Sequence, residues 1–199
     1  MKIQIPDYIQ ALIDLLNQNG YSAYVVGGAI RNALLELPIH DYDLTTDATP
    51  EKMLQVFSNY RVFQTGIQHG TITVLSNKQP VEITTFRSEN SYEDHRHPSG
   101  VSFSKSIEED CKRRDFTINA LCYNNNEGLI DFFGGVDDLQ HKIIRCIGNP
   151  HERIDEDALR ILRALRFAGR LSFTIEENTA TAIHKQKDLL HYISEERIH

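Results

Sequence analysis

Asp41 and Asp43 stand one residue apart in "HDYDL". In an extended segment, residues i and i+2 share a face, so both carboxylates point the same way. Like charges held that close repel and raise one pKa unless a cation sits between them. Mg²⁺ suits the pair, being hard, oxygen-seeking and usually held by one or two carboxylates plus substrate phosphates. Two metals there would serve an in-line displacement at phosphorus. Two aspartates that merely end an exposed strand would look the same, so their surroundings must decide.

Upstream, "YSAYVV" reads as a strand running into Gly27-Gly28, and "AIRNALLE" continues as a helix. Strand, glycines and helix start make an anion site from free backbone N–H groups and the helix dipole. Arg31, one turn on, adds a charge-assisted contact to phosphate. A tight turn needing positive φ would use the same glycines. The P-loop pattern GxxxxGK[ST] is absent. A phosphate cradle beside a carboxylate pair favours phosphoryl or nucleotidyl transfer.

Two further stretches carry charges in helical spacing. "RIDEDALRILRALRFAGRL" reads as one helix, with Ala158, Leu159, Ile161, Leu162 and Leu165 on a core sector. Arg153, Glu156, Asp157, Arg160 and Arg163 fall opposite. They make either a solvated face with ion pairs or a base reader. In the second case Asp157 accepts from an exocyclic amine and Arg160 donates to a ring nitrogen or carbonyl. Cytosine and adenine both fit such a pair; uracil and guanine do not. "CKRRDFTINALCYN" reads as a helix start, with Arg113, Arg114, Asp115 and Asn119 as its polar positions. Asp115 is either a helix cap or, with Asn119, a partner for ribose hydroxyls.

The elements that must position these residues are legible in outline. Residues 7–19 read as a helix closed by Asn19-Gly20. "DYDLTT" reads as a strand, and "ATPEKMLQVF" as a helix with Pro50 in its first turn. "GTITVLS" and "VEITTF" form a hairpin around "NKQP". Residues 87–106 read as a mobile loop, and the chain turns mostly helical from Ile107. A composition shift near "RCIGNPHERIDED" places a second unit from 148. The fold class is therefore α+β, a catalytic head over 1–147 and a helical domain over 148–199. With no stop signal in "LLHYISEERIH", the chain reads as a fragment.

The 199 residues carry a net charge of −7, which argues against a generic basic nucleic-acid binder. Arginines nonetheless gather in "KRRD" and "RILRALRFAGR", so an anionic ligand has a local site. No apolar run approaches a membrane span, and the N-terminus is not a signal peptide. Cys111, Cys122 and Cys146 show no CxxC pairing, which suits a reducing, cytoplasmic setting without disulfides or structural zinc.

Together the motifs resemble the class II tRNA nucleotidyltransferases, the CCA-adding enzymes of the polymerase-β superfamily. "GGAIRN" with "DYDLTT" is similar to the family's first motif, and "RRDFTINA" to its second. "FFGGVDDL" is similar to its hinge motif, "EDALRILRALRF" to its base-reading motif and "SFTIEENT" to its helix-stabilising motif. The resemblance implies a polymerase-β-like head with a small mixed sheet, then an all-helical neck, the family's body and tail being absent. It implies that Asp41 and Asp43 hold catalytic Mg²⁺ (or Mn²⁺), with Glu82 as an extra carboxylate. Gly27, Gly28 and Arg31 would contact the triphosphate, and Asp115 the ribose, with Arg114 and Asn119 nearby. Asp157 and Arg160 would read the base, Glu156 would orient Arg160, and Arg163 would bind phosphate. The implied partners are CTP, ATP and a tRNA 3′ end, with neither DNA nor a membrane.

"TGIQHGTITV" is similar to the CCA-adding form rather than the poly(A) polymerase form. "TFRSENSYEDHRHPSGVSF" is similar to the family's loop that switches from C to A addition. A-adding or poly(A)-adding activity, and a non-catalytic nucleotide or RNA module, stay as alternatives. His95-Arg96-His97 lacks an acidic or cysteine set to complete a metal site. Asn32 stands where the family usually has aspartate, which would loosen Arg31, and Glu36 where glycine is common.

Overall fold

The computed structural model describes residues 2–89 and 101–193. The His95–His97 cluster and most of the switching loop lie outside the described residues. In α1 (Asp7–Gln18), Ile9, Leu12, Ile13 and Leu16 recur at helical spacing and are all buried. β1 (Ala23–Val26) leads through Gly27 into α2 (Gly28–Leu34), and β2 (Asp43–Thr46) returns beside it. α3 (Pro50–Val56), β3 (Arg61–Phe63), β4 (Thr71–Ser76) and β5 (Gln79–Thr85) follow. The β4–β5 hairpin turns on Asn77 and Lys78 alone, at φ 48° and 62°, the geometry of a tight two-residue turn. Gln79 and Pro80 therefore belong to the strand, not to the connection.

β6 (Arg87–Glu89) pairs antiparallel with β7 (Val101–Phe103), so the stretch expected to be loop begins and ends in a two-stranded ladder. After α4 (Ile107–Lys112), the chain does not turn all-helical. β8 (Cys122–Asn124) and β9 (Gly128–Ile130) join the main sheet before α5 (Gly135–His141). The sheet runs β3-β4-β5-β2-β1-β8-β9, with β2–β5 its parallel pair.

Alternation along β1 divides the core. Ala23 and Val25 face a large apolar cluster with α1 and α3; Tyr24 and Val26 face a smaller one with Phe86, Cys111 and Cys122. Asp43 lies opposite Val26 in register, so it faces the second, thinly covered side. Cys111, Cys122 and Cys146 are free thiols.

β10 (Ile143–Ile144), α6 (Pro150–Glu156), α7 (Leu159–Leu171), β11 (Thr174–Ile175), α8 (Glu177–Gln186) and a 3₁₀ helix over Lys187–Tyr192 complete the described chain. β10 and β11 pair in parallel across position 147, so the neck is helical except for this strand. Ile144, Cys146, Ala164 and Phe173 share one apolar cluster with α1 and β1. The long helix of the sequence reading is broken: Asp157 is extended, φ −146° and ψ 100°, between α6 and α7. The break resets the helical phase. Arg160, Ile161 and Ala164 are buried, whereas Leu165 is 53% exposed.

Gly135 opens α5 against the backbone of the 117–119 turn, where an added Cβ would sit 2.3 Å from the Thr117 carbonyl oxygen. Backbone cannot yield as a side chain can. Gly135→Ala is expected to lower stability by about 2 kcal/mol in urea titration; an unchanged midpoint would contradict this close approach.

Candidate nucleotide and metal site

The site forms where two neighbouring antiparallel strands meet at one end. β1 ends at Val26, β2 begins at Asp43, and the two are register partners. The glycine turn that follows Val26 therefore lies beside the carboxylate. Asp43 is also the register partner of Glu82 on β5. Burial pushes the Asp43 carboxyl up, and the negative charges of Glu82 and Asp41 add to that, against Arg114. Glu82 is thus a cross-strand neighbour of Asp43. Asp41 precedes the strand rather than lying in it.

Gly27 adopts φ 70°, and a Cβ there would come 3.3 Å from Arg114 Nη1. The positive φ favours glycine, and a side chain there would also press on the Arg114 guanidinium. Its carbonyl accepts the first helical bond of α2, from Arg31 N at 3.1 Å. Gly28, Arg31, Asn32, His40, Asp41, Asp43 and Arg170 line an open cleft of about 260 Å³. Arg31 is buried and rigidly held. Its Nη1 donates to Asn119 Oδ1 at 2.6 Å, and its Nε and Nη2 donate to Asn32 Oδ1 at 3.1 and 2.9 Å. Its guanidinium also stacks 4.9 Å above the Phe167 ring. Asn32 therefore grips Arg31 without a carboxylate, and the expected loosening is not seen. Glu36 sits at φ 56°, where a side chain is strained, which accounts for a preference for glycine there.

Residues 113–120 form no long helix, only a 3₁₀ turn over Thr117–Asn119. Asp115 caps no helix. Its Oδ1 accepts from Phe116 N at 2.8 Å and Asn119 Nδ2 at 3.0 Å, and its Oδ2 accepts from Arg163 Nε at 2.6 Å. Arg31, Asn119, Asp115 and Arg163 are thus one chain of bonds from the glycine turn to α7.

Arg160 does not lie on a solvent face. It is 5% exposed, and it donates to Glu156 at 2.8 Å and to the carbonyls of Arg153 and Arg113. Glu156 also pairs with Arg153, whose guanidinium donates to the carbonyls of Arg113 and Arg114. Asp157, at the joint of the helices, accepts from Leu159 N at 3.0 Å. Arg163 has one face over Phe167, 5.4 Å from its centroid.

Three contributors escaped the sequence reading. Asp110 is fully buried beneath the site. It pairs with Arg113 at 2.9 Å and Arg114 at 3.2 Å, and accepts from Thr45 Oγ1 at 3.2 Å. The signal was present as acid and base at i, i+3 and i+4. Arg170 and Phe167 share a helix face with Arg163, at i+7 and i+4.

The donor set suits a hard cation: carboxylate oxygens whose mutual repulsion is relieved by positive charge. Among the described residues, no three His, Cys, Asp or Glu side chains gather tightly enough to hold a metal alone. Ligand phosphates or water would complete the shell. No helix among the described residues is long and apolar enough to cross a membrane.

A mixed sheet offers carboxylates beside a glycine turn, and the helical unit sets Arg170 in the same cleft, a combination that suits a phosphate with a bound cation. The comparisons give the family. Residues 23–145 match the profile described as Poly A polymerase head domain, and 172–199 match "Probable RNA and SrmB- binding site of polymerase A". The chain belongs to the poly(A) polymerase head-domain family. It is 52% identical over 183 residues to a CCA-adding enzyme of Enterococcus faecalis, covering 92% of this chain and 45% of that one. The crystal structure of the Bacillus stearothermophilus CCA-adding enzyme in complex with CTP superposes with a TM-score of 0.88 at 40% identity, over 98% of this chain and 47% of that one. A tRNA nucleotidyltransferase complexed with a primer tRNA and an incoming ATP analog gives a TM-score of 0.74 at 30% identity, over 94% and 53%. The chain thus spans about half the length of the curated relatives it matches.

Burial alone would raise the Asp110 carboxyl, but Arg113 and Arg114 outweigh it and hold it below the usual range. A lowered folded pKa gives stability that is present above the unfolded value, about 3.9, and is lost as pH falls through the folded one. Asp110→Asn should cost about 3 kcal/mol at pH 7, because two guanidiniums lose their partner. It should also flatten the acid limb of stability below about pH 4. Thermal melts across pH check both; an acid limb identical to wild type would refute the role of Asp110.

Proposed function

We propose that this chain is the head and neck, over 1–147 and 148–199, of a tRNA nucleotidyltransferase that adds C, C and A to a tRNA 3′ end. The observation that carries the reading is the register Val26–Asp43–Glu82, which sets carboxylates beside the glycine turn and Arg31. The names and bound nucleotides of the relatives support it. The setting would be the cytoplasm, where tRNA and free nucleotides meet.

The RNA 3′-hydroxyl oxygen attacks the α-phosphorus of CTP or ATP in line. A P–O bond forms as the hydroxyl proton passes to water, the bond to the bridging oxygen breaks, and pyrophosphate leaves with its electron pair. Asp41 and Asp43, with Glu82 alongside, would hold Mg²⁺, which when bound lowers the hydroxyl pKa and offsets charge on the phosphates. The Gly27 N–H is already given to the Leu121 carbonyl at 3.1 Å, so Arg31 and the Gly28 amide at the start of α2 would face the triphosphate, and their fixed setting costs little reorganisation as charge develops. A base entering at the α6–α7 joint meets the Asp157 carboxylate and the Arg160 guanidinium. Glu156 and the carbonyls of Arg113 and Arg153 fix that guanidinium in one orientation. The protein edge then stands where a template base would.

Asp41 is exposed, so Asp41→Ala should fold normally while pyrophosphate release from CTP and an RNA primer falls at least about a hundredfold. Wild-type turnover in that variant would remove the metal assignment. Primer extension with CTP alone separates C addition from A-only or poly(A) addition. Nucleotide binding with no pyrophosphate release from the wild-type chain and primer would point to a non-catalytic module. Titration of CTP, ATP, GTP and UTP should show binding of the first two, and Arg160→Ala should lose that choice. Equal binding of all four by wild type would sink the base-reading role.

A further inference from the structure

Arg170 is exposed in the last turn of α7, yet it lines the same cleft as Gly28, Arg31, Asp41 and Asp43. A basic residue there suits the helix dipole, but the dipole does not require the side chain to face the head. Nearby arginines have their charge matched: Arg113 and Arg114 by Asp110, Arg153 and Arg160 by Glu156, Arg163 by Asp115. Arg170 forms no hydrogen bond or ion pair among the described residues, not even with the two aspartates of its own cleft. Its near neighbour is another cation. After burial, the positive charge of Arg170 is the main influence lowering the Arg31 pKa, ahead of the opposing Asp115. Arg31 cannot swing away, since Asn32 and Asn119 hold it. Two guanidiniums that line one cleft, neither ion-paired with its aspartates, favour an anion there.

We infer that Arg170 binds the terminal phosphates of the incoming nucleoside triphosphate, gripping from the neck what Arg31 and the glycine turn grip from the head. This rests on the nucleotidyltransferase reading above. It makes the triphosphate a bridge between the two units, and it gives the leaving pyrophosphate a cation outside the metal shell. The sequence shows Arg170 only as the end of an arginine series; its aim into the cleft comes from the fold.

The test is calorimetric titration of CTP, CMP and inorganic pyrophosphate into wild type, Arg170→Ala and Arg170→Lys with Mg²⁺, beside a titration of primer RNA. Arg170→Ala should weaken CTP and pyrophosphate about tenfold and leave CMP unchanged, the loss of one charge-assisted contact. Arg170→Lys should fall between the two. A CTP-to-CMP affinity ratio equal to wild type would overturn the inference, as would a loss confined to primer RNA, which would assign Arg170 to an RNA phosphate. The earlier reading is judged separately, by wild-type preference for CTP and ATP over GTP and UTP. If that preference is absent while Arg170→Ala still loses pyrophosphate, base reading fails and the phosphate contact stands.

Discussion

The pairing of Val26 with Asp43 is the constraint on which the site depends. A strand places alternate side chains on opposite faces, so a slip of one residue between β1 and β2 would turn Asp43 into the apolar cluster behind the sheet. The register is held from both sides. Val25 and Leu44 pair into the large core, and Thr45 beside them reaches the buried Asp110. Apolar burial fixes the slip, and the slip fixes where the charges stand. The same pairing sets the end of β1 beside Asp43, so the glycine turn cannot be far from the carboxylates.

Around that frame, carboxylates position arginines. Asp110, Asp115 and Glu156 hold between them Arg113, Arg114, Arg163, Arg153 and Arg160. Removing any one acid would strand guanidiniums in low dielectric, which costs far more than the intact pair contributes. The net negative chain thus carries a local field of aligned positive groups, each with its direction fixed by an acid or a backbone carbonyl.

Much of this was legible in the sequence where local pattern and fold agree. The strand–glycine–helix unit and the existence of the β4–β5 hairpin follow from spacing; of the two aspartates expected on one strand only Asp43 lies in β2, and the hairpin turn is two residues shorter than NKQP. Glu82 could be suspected but not placed, because its partnership with Asp43 is a long-range parallel pairing. The α7 face was misread because Asp157 breaks the helix and resets its phase. Arg160, Ile161 and Ala164 then make the buried stripe, with Phe167 and Ala168 partly buried beside it, while Leu165 stays in solvent. Arg160 reads as surface by residue type, but carbonyls and Glu156 satisfy it inside. β8 and β9 are three residues each, too short for periodicity to declare them against a helical background. The Asn32 departure shows the same limit: an amide oxygen accepts two guanidinium N–H groups as a carboxylate would, and composition alone does not say so.

The β10–β11 pairing and the shared cluster of Ile144, Cys146, Ala164 and Phe173 have a bearing on ancestry. The apolar interior is continuous across position 147. A recombination event that traded necks between relatives at that point would sever a strand pair and split a common interior. A viable exchange would have to carry the β10 edge along with the neck, or import compensating apolar residues into the head. Neck and head are therefore expected to have been inherited together, and to have diverged as one.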